Sequence, residues 1–88
     1  MIDSGPARGG RELFVRHARK DGRSVAIIRA VEETDACVVE ADVYPPGVAG
    51  TAPATAGPYT FGSAHEATAF VTEAVEALMY LGCDVQAS

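Results

Sequence analysis

The sequence predicts an α+β domain in which a four-stranded antiparallel β-meander is followed by one C-terminal amphipathic helix packed on one sheet face. Three observations lead to this prediction. Apolar and polar residues alternate over three successive segments, an Asp-Gly pair separates the first two, and a capped helical pattern follows the last. The predicted element order is therefore β-β-β-β-α. A chain of 88 residues is long enough for one domain with a small core.

The first two strands form a predicted hairpin over about residues 11–20 and 23–32. Asp21-Gly22 lies between them, and both residues tolerate the positive φ that a primed two-residue turn requires. Such a turn pairs Lys20 with Arg23 and Ala18 with Val25. The face toward the helix then carries a mainly apolar set: Leu13, Val15, His17, Ala26, Ile28 and Ala30. A three-residue loop with a glycine bulge would shift one strand and mix the two faces; we prefer the first register because it keeps most arginines off the apolar face.

The third strand runs from Cys37 to Tyr44 and has the clearest alternation in the chain, with Cys37, Val39, Ala41 and Val43 toward the helix. Pro45-Pro46 ends it, because proline cannot supply a ladder N–H. Residues 45–58 are uncharged and rich in proline, glycine and alanine, which predicts a flexible loop. A short fourth strand follows at residues 59–61.

The helix is predicted over about residues 64–81. Ser63 is the N-cap and Glu66 lies three residues later, as in a capping box, while Gly82 is the expected glycine after the helix end. Its core stripe has helical spacing and consists of Ala67, Phe70, Val71, Ala74, Leu78 and Leu81. Residues 83–85 are predicted to be a short tail. We therefore expect residues 1–10 to form a flexible leader and residues 11–85 a single domain.

The charges are segregated along the chain. All seven lysines and arginines lie between Arg8 and Arg29, so residues 1–29, with three carboxylates, have a charge of +4, whereas the nine carboxylates of residues 30–88 give −9. A chain with this segregation folds with a large charge dipole, pairs its basic and acidic surfaces, or offers the basic surface to a partner. Pairing of the two surfaces would join arginines of the hairpin to Glu40 and Asp42 on the third strand.

Two candidate surfaces follow from the predicted faces. The sheet face away from the helix carries apolar residues, and a contiguous apolar patch is typical of an interface; we expect a homodimer that uses Val25, Ile27, Val31 and Val38. The basic residues with interleaved aromatics form a second candidate surface, for an acidic protein partner or for single-stranded nucleic acid. Its members are Phe14, Arg16, Lys20, Arg23, Arg29 and Tyr44.

The order of elements over about residues 11–81 resembles that of the single-stranded-DNA-binding transcriptional coactivator proteins and their bacterial relatives. The resemblance is carried by the hairpin, a strand ending at Asp42-Val43-Tyr44-Pro45, a glycine-led strand from Gly57 to Phe61, and the helix. It implies binding of single strands by the sheet. The later strands and the helix contain no lysine or arginine, which departs from that family where binding would be decided.

No catalytic, cofactor or metal motif is present. Ser63, His65 and Glu66 share a helix start, but the cap explains two of them, and Glu40 and Asp42 are better explained as ion-pair partners of the arginines. The two cysteines, Cys37 and Cys83, lack metal-ligand or CxxC spacing, which favours buried thiols in a reducing compartment.

The sequence has neither a membrane-spanning run nor the apolar region of a signal peptide, so we expect a cytoplasmic protein without membrane association. The favoured function is a small non-catalytic interaction or accessory module. The alternatives are weak binding of single-stranded nucleic acid through the basic hairpin, and small-molecule binding at a dimer interface near His17 or the 45–58 loop.

Overall fold

The structure, a computed structural model, describes residues 11–45 and 52–87. In these residues five antiparallel strands form one sheet in the order β4-β3-β2-β1-β5, with one helix against it. The elements are β1 Arg11–Lys20, β2 Arg23–Glu32, β3 Cys37–Val43, β4 Ala54–Phe61, α1 Ala64–Tyr80 and β5 Asp84–Ala87. The predicted fold class, a meander followed by a C-terminal helix, is confirmed. The predictions for residues 1–10 and 46–51 concern parts of the chain outside the described residues.

The segment predicted to be a tail is a fifth strand. After α1, a Schellman motif turns the chain: Gly82 has φ of 96°, its N–H donates to the Met79 carbonyl, and the Cys83 N–H donates to the Leu78 carbonyl. The chain then returns as β5 and pairs with β1, where Val85 lies opposite Ala18. Four residues are too few for an alternation pattern to be recognised in the sequence.

The hairpin has the predicted two-residue turn but a different register. Asp21 and Gly22 both have positive φ, and Lys20 pairs with Arg23. Two residues before Lys20, however, Ala18 pairs with Ala26 instead of Val25, because Val25 is an extra residue in a β-bulge. A second irregularity on β1 leaves Leu13 without a partner in the register.

The bulge exchanges the two faces of β1. Since side chains alternate, a shift of one residue moves every following side chain to the other side of the sheet. The predicted position of Val15 and His17 toward the helix is therefore wrong. Phe14, Arg16 and Ala18 occupy that side, in register with Ala30, Ile28 and Ala26.

Strand β4 begins at Ala54, five residues before the predicted start. It pairs with β3 through a register shift between Val39 and Ala41, and Gly57, with φ of 96°, lies in the β4 segment opposite this shift. Proline and glycine are tolerated there because β4 is an edge strand with an irregular ladder. The composition alone therefore predicts a loop where the chain forms an edge strand.

The core lies between the sheet and one side of α1. The predicted inward set of β3 is confirmed for Cys37 and Val39, which are buried, and Val39 has only 1% of its surface exposed. The main cluster joins strands and helix and consists of Ile28, Ala30, Cys37, Val39, Ala67 and Val71. A smaller cluster consists of Ala18, Ala26 and Cys83.

The helix start is capped nearly as predicted. The Ser63 Oγ accepts from the Glu66 N–H at 3.1 Å, and Glu66 Oε1 accepts in return from the N–H of Gly62, one residue before the cap. Of the predicted core stripe, Leu81 is exposed, and Phe70 has 37% of its surface exposed and contacts the rings of Tyr59 and Phe61. In the described part of the chain, no helix has the length and apolar character needed to cross a membrane.

Candidate functional site

The sheet face opposite α1, called the outer face, is not covered by any described element. It is formed by alternate residues of the three central strands. Its members include Glu12, Val15, His17, Ile27, Arg29, Val31, Val38, Glu40 and Asp42. The register arranges them in rows across the sheet: Glu12 beside Val31 and Val38, Val15 beside Arg29 and Glu40, and His17 beside Ile27 and Asp42.

The outer face brings together three of the four residues predicted for a dimer surface. Ile27, Val31 and Val38 lie on it and are half-buried by their neighbours. Val25 occupies the bulge and packs against the smaller core cluster. Val15 joins the outer face, a position that sequence reasoning missed because the bulge cannot be located from alternation alone. The face therefore carries apolar residues on all three central strands, with Val31 and Val38 as direct neighbours.

The charged groups of the outer face lie side by side without pairing. Arg29 and Glu40 are direct neighbours in the register of β2 and β3. Nevertheless, among the described residues Arg29 forms no ion pair with Glu40 or Asp42. An ion pair among the described residues joins Arg11 to Glu32 at 2.6 Å, at the far end of the hairpin. A free guanidinium and a free carboxylate are thus available on the same surface.

The six residues of the predicted basic surface are distributed over different parts of the fold. Phe14 and Arg16 lie on the helix side of β1, whereas Arg29 lies on the outer face. Lys20 and Arg23 lie at the hairpin turn, where Lys20 Nζ donates to the carbonyl of Leu81. Tyr44 follows β3, and its N–H donates to the Val25 carbonyl. These residues do not form one continuous strip.

A groove, called the helix groove, lies between α1 and the start of β1. It has a volume of about 270 Å³, and its lining comprises Phe14, Arg16, Thr68, Val71, Thr72, Val75 and Glu76. The Arg16 guanidinium lies over the Phe14 ring, 4.7 Å from its centroid, and Nη1 donates to the Val15 carbonyl at 3.0 Å. A cation over an aromatic face is held there by the ring quadrupole. The bulge of the hairpin therefore places a positive charge in a partly enclosed site.

The residues that resemble a catalytic set have other roles or lie apart from one another. Ser63 and Glu66 cap α1, and His65 is exposed. His17 is half-buried, and its Nε2 is hydrogen-bonded to Ser24 Oγ at 2.9 Å. Within the described ranges, no group of three or more His, Cys, Asp or Glu residues could hold a metal ion. Cys37 and Cys83 are buried free thiols in separate core clusters.

Comparisons of the chain with protein-family models, with curated proteins and with solved structures find no match. The resemblance to the transcriptional coactivators therefore remains one of element order, and the candidate surfaces have to be judged by their own geometry.

Proposed function

We propose that this protein is a non-catalytic interaction module that acts as a homodimer, in which the outer face of one copy packs on the outer face of a second. The observation that carries the proposal is the row on which Arg29 and Glu40 are neighbours but unpaired, next to the apolar pair Val31 and Val38. The same face of a second copy offers a partner for each of these four residues.

The register favours one symmetry for the proposed dimer. A two-fold axis that lies between the two sheets, parallel to the strands and midway between β2 and β3, places β2 of one copy over β3 of the other. Arg29 then lies over Glu40 of the second copy, and Val31 lies over Val38 of the second copy. An axis perpendicular to the strands would instead bring like charges together. Charge complementarity therefore favours the first arrangement.

The size of the outer face sets the expected affinity. Three strands about 4.8 Å apart and about seven residues long give a face of about 14 by 24 Å, or about 340 Å² in projection. Because side chains project from the sheet, the accessible area of the face is larger than its projected area. It approaches the area of the smallest specific interfaces, which is about 600 Å² per partner. We therefore expect a weak dimer, with a Kd of about 10 μM.

Nucleic-acid binding is less favoured by the same geometry. Arg16 and Arg29 lie on opposite sides of the sheet, so one strand cannot contact both along a single path. The net charge of −5 also repels a polyanion. A fluorescence anisotropy titration with a labelled single strand of about 20 nucleotides at low salt distinguishes the two functions. A protein that only dimerises leaves the anisotropy of the labelled strand unchanged.

Sedimentation equilibrium over about 1–500 μM protein tests the dimer. Arg29→Glu creates two like-charge contacts in the symmetric dimer, each costing about 1 kcal/mol, so the Kd should rise by about 30-fold. Glu40→Arg should act similarly. The double variant Arg29→Glu/Glu40→Arg restores opposite charges and should recover the wild-type Kd within about threefold. Arg23→Glu, at the exposed hairpin turn, is the matched control for the charge change and should leave the Kd unaltered.

A wild-type chain that remains monomeric throughout this range would refute the proposal. So would an equal effect of Arg29→Glu and Arg23→Glu, since net charge rather than this surface would then govern association. Circular dichroism spectra of each variant verify that the sheet is retained.

A further inference from the structure

Arg16 carries a half-buried charge with unused donors. Its Nη1 donates to the Val15 carbonyl and its plane lies over Phe14, but a guanidinium has five N–H donors. Among the described residues, no carboxylate forms an ion pair with it. Holding a cation away from bulk water without a counter-charge is costly, so this position favours an anion supplied from outside the chain.

The helix wall of the groove supplies polar groups in a line. Thr68, Thr72 and Glu76 are four residues apart, so they share one helix face, and all three line the groove. Glu76 lines the same groove as Arg16, but the two form no ion pair with each other in the described structure. The groove therefore offers one cationic and one anionic group that do not pair with each other.

The remaining lining is apolar. Val71 and Val75, with the Phe14 ring, contribute carbon surface to the same groove. The volume of about 270 Å³ corresponds to roughly nine water molecules at about 30 Å³ each. A ligand of about nine non-hydrogen atoms with two opposite charges and a branched apolar part fits this description.

We propose that the helix groove binds a small α-amino acid with an apolar side chain, whose carboxylate pairs with Arg16 and whose ammonium group pairs with Glu76. The threonine hydroxyls donate to the carboxylate, and the side chain lies against Val71, Val75 and Phe14. Arginine matches a carboxylate with two parallel hydrogen bonds. This site lies on the side of the sheet opposite the outer face, so it is independent of dimer formation.

The two charges make a specific prediction about ligand analogues. L-Leucine has both charges, 4-methylpentanoate lacks the ammonium group, and 3-methylbutylamine lacks the carboxylate. Each analogue leaves one charged group of the groove without its partner, which is a strong basis for discrimination. We expect L-leucine to bind with a Kd of about 0.1–1 mM, in line with a ligand of this size, and both analogues to bind at least about tenfold more weakly.

Amide NMR titrations with these three compounds, up to about 20 mM, test the proposal. Chemical shifts should change at Arg16, Thr72 and Glu76, and saturate for L-leucine. Glu76→Gln should weaken L-leucine about tenfold and leave 4-methylpentanoate unchanged, because only the ammonium contact is lost. Arg16→Gln should weaken L-leucine and leave 3-methylbutylamine unchanged. Glu73→Gln, on the same helix and exposed, is the matched control and should alter none of the affinities.

Three results would overturn the proposal. The first is the absence of saturating shifts at the groove with L-leucine. The second is 4-methylpentanoate or 3-methylbutylamine binding as tightly as L-leucine, which would exclude recognition of both charges. The third is an equal loss of affinity in Glu76→Gln and Glu73→Gln. Because Glu76 is exposed, its variant keeps the test valid even if Arg16→Gln does not fold.

Discussion

Val39→Ala should be among the most destabilising single truncations in this chain. Val39 lies at the centre of the main core cluster with 1% of its surface exposed, beneath the part of α1 that contains Ala67 and Val71. Removing two carbon atoms from this site loses about 1.6 kcal/mol of transfer free energy. The cavity of about 50 Å³ that remains costs about 1.2 kcal/mol more if the surroundings do not relax. The expected loss of unfolding free energy is about 3 kcal/mol.

This loss is a large share of the total, since a domain of 88 residues has an unfolding free energy of about 4–13 kcal/mol. Urea denaturation followed by circular dichroism measures it. With a slope of about 1.3 kcal/mol per M, the midpoint should fall by about 2 M. Val43→Ala is the matched control: the same residue type on the same strand and the same face, but 41% exposed. It should cost less than about 1 kcal/mol.

Equal midpoints for the two valine variants would refute the reasoning. The described packing would then not be the packing that stabilises the protein, and the position of α1 over β3 would be in doubt. A changed slope with an unchanged midpoint would point instead to an altered denatured state. Both variants are measured at one protein concentration, so that association does not contribute to the difference.

Two further predictions concern the backbone. Ser63→Ala removes the acceptor of the Glu66 N–H and should lower the unfolding free energy by about 1 kcal/mol, whereas Ser63→Thr should retain most of it; equal urea midpoints for the two would contradict the role of the cap. Gly57→Ala should cost more than Gly22→Ala. Both positions have positive φ, but a Cβ at Gly57 would lie 2.8 Å from the Val39 carbonyl oxygen and one at Gly22 would meet nothing within 4 Å. The strain of φ alone costs about 1–2 kcal/mol, so thermal unfolding should separate the two variants, and indistinguishable melting temperatures would contradict the close approach.

Local chemistry made most of the fold predictable. The Asp21-Gly22 turn, the alternation of β3 and the cap at Ser63 each depend on a few adjacent residues, and each is confirmed. Strand β5 was not predictable because its formation depends on a neighbour, β1, that is far away in the sequence. The early start of β4 was not predictable, because proline and glycine usually indicate a loop. An edge strand with an irregular ladder accommodates them.

The sites were less predictable, for one physical reason. A bulge of one residue at Val25 decides which side of the sheet Arg16 occupies, and alternation patterns do not contain its position. The sequence therefore placed Phe14 and Arg16 with Arg29 on one basic surface. In the structure Arg16 lines the helix groove and Arg29 lies beside Glu40 on the outer face.

The most direct test of the proposed dimer is an isotope-filtered NOE experiment on a mixture of labelled and unlabelled protein, at a concentration where sedimentation detects association. Val31 and Val38 are neighbours within one chain, so only the filtered spectrum reports contacts between copies. We expect intermolecular NOEs between the methyl groups of Val31 in one copy and those of Val38 in the other. Intermolecular NOEs from the exposed helix end at Met79, Tyr80 and Leu81, with none from Val31 or Val38, would contradict it.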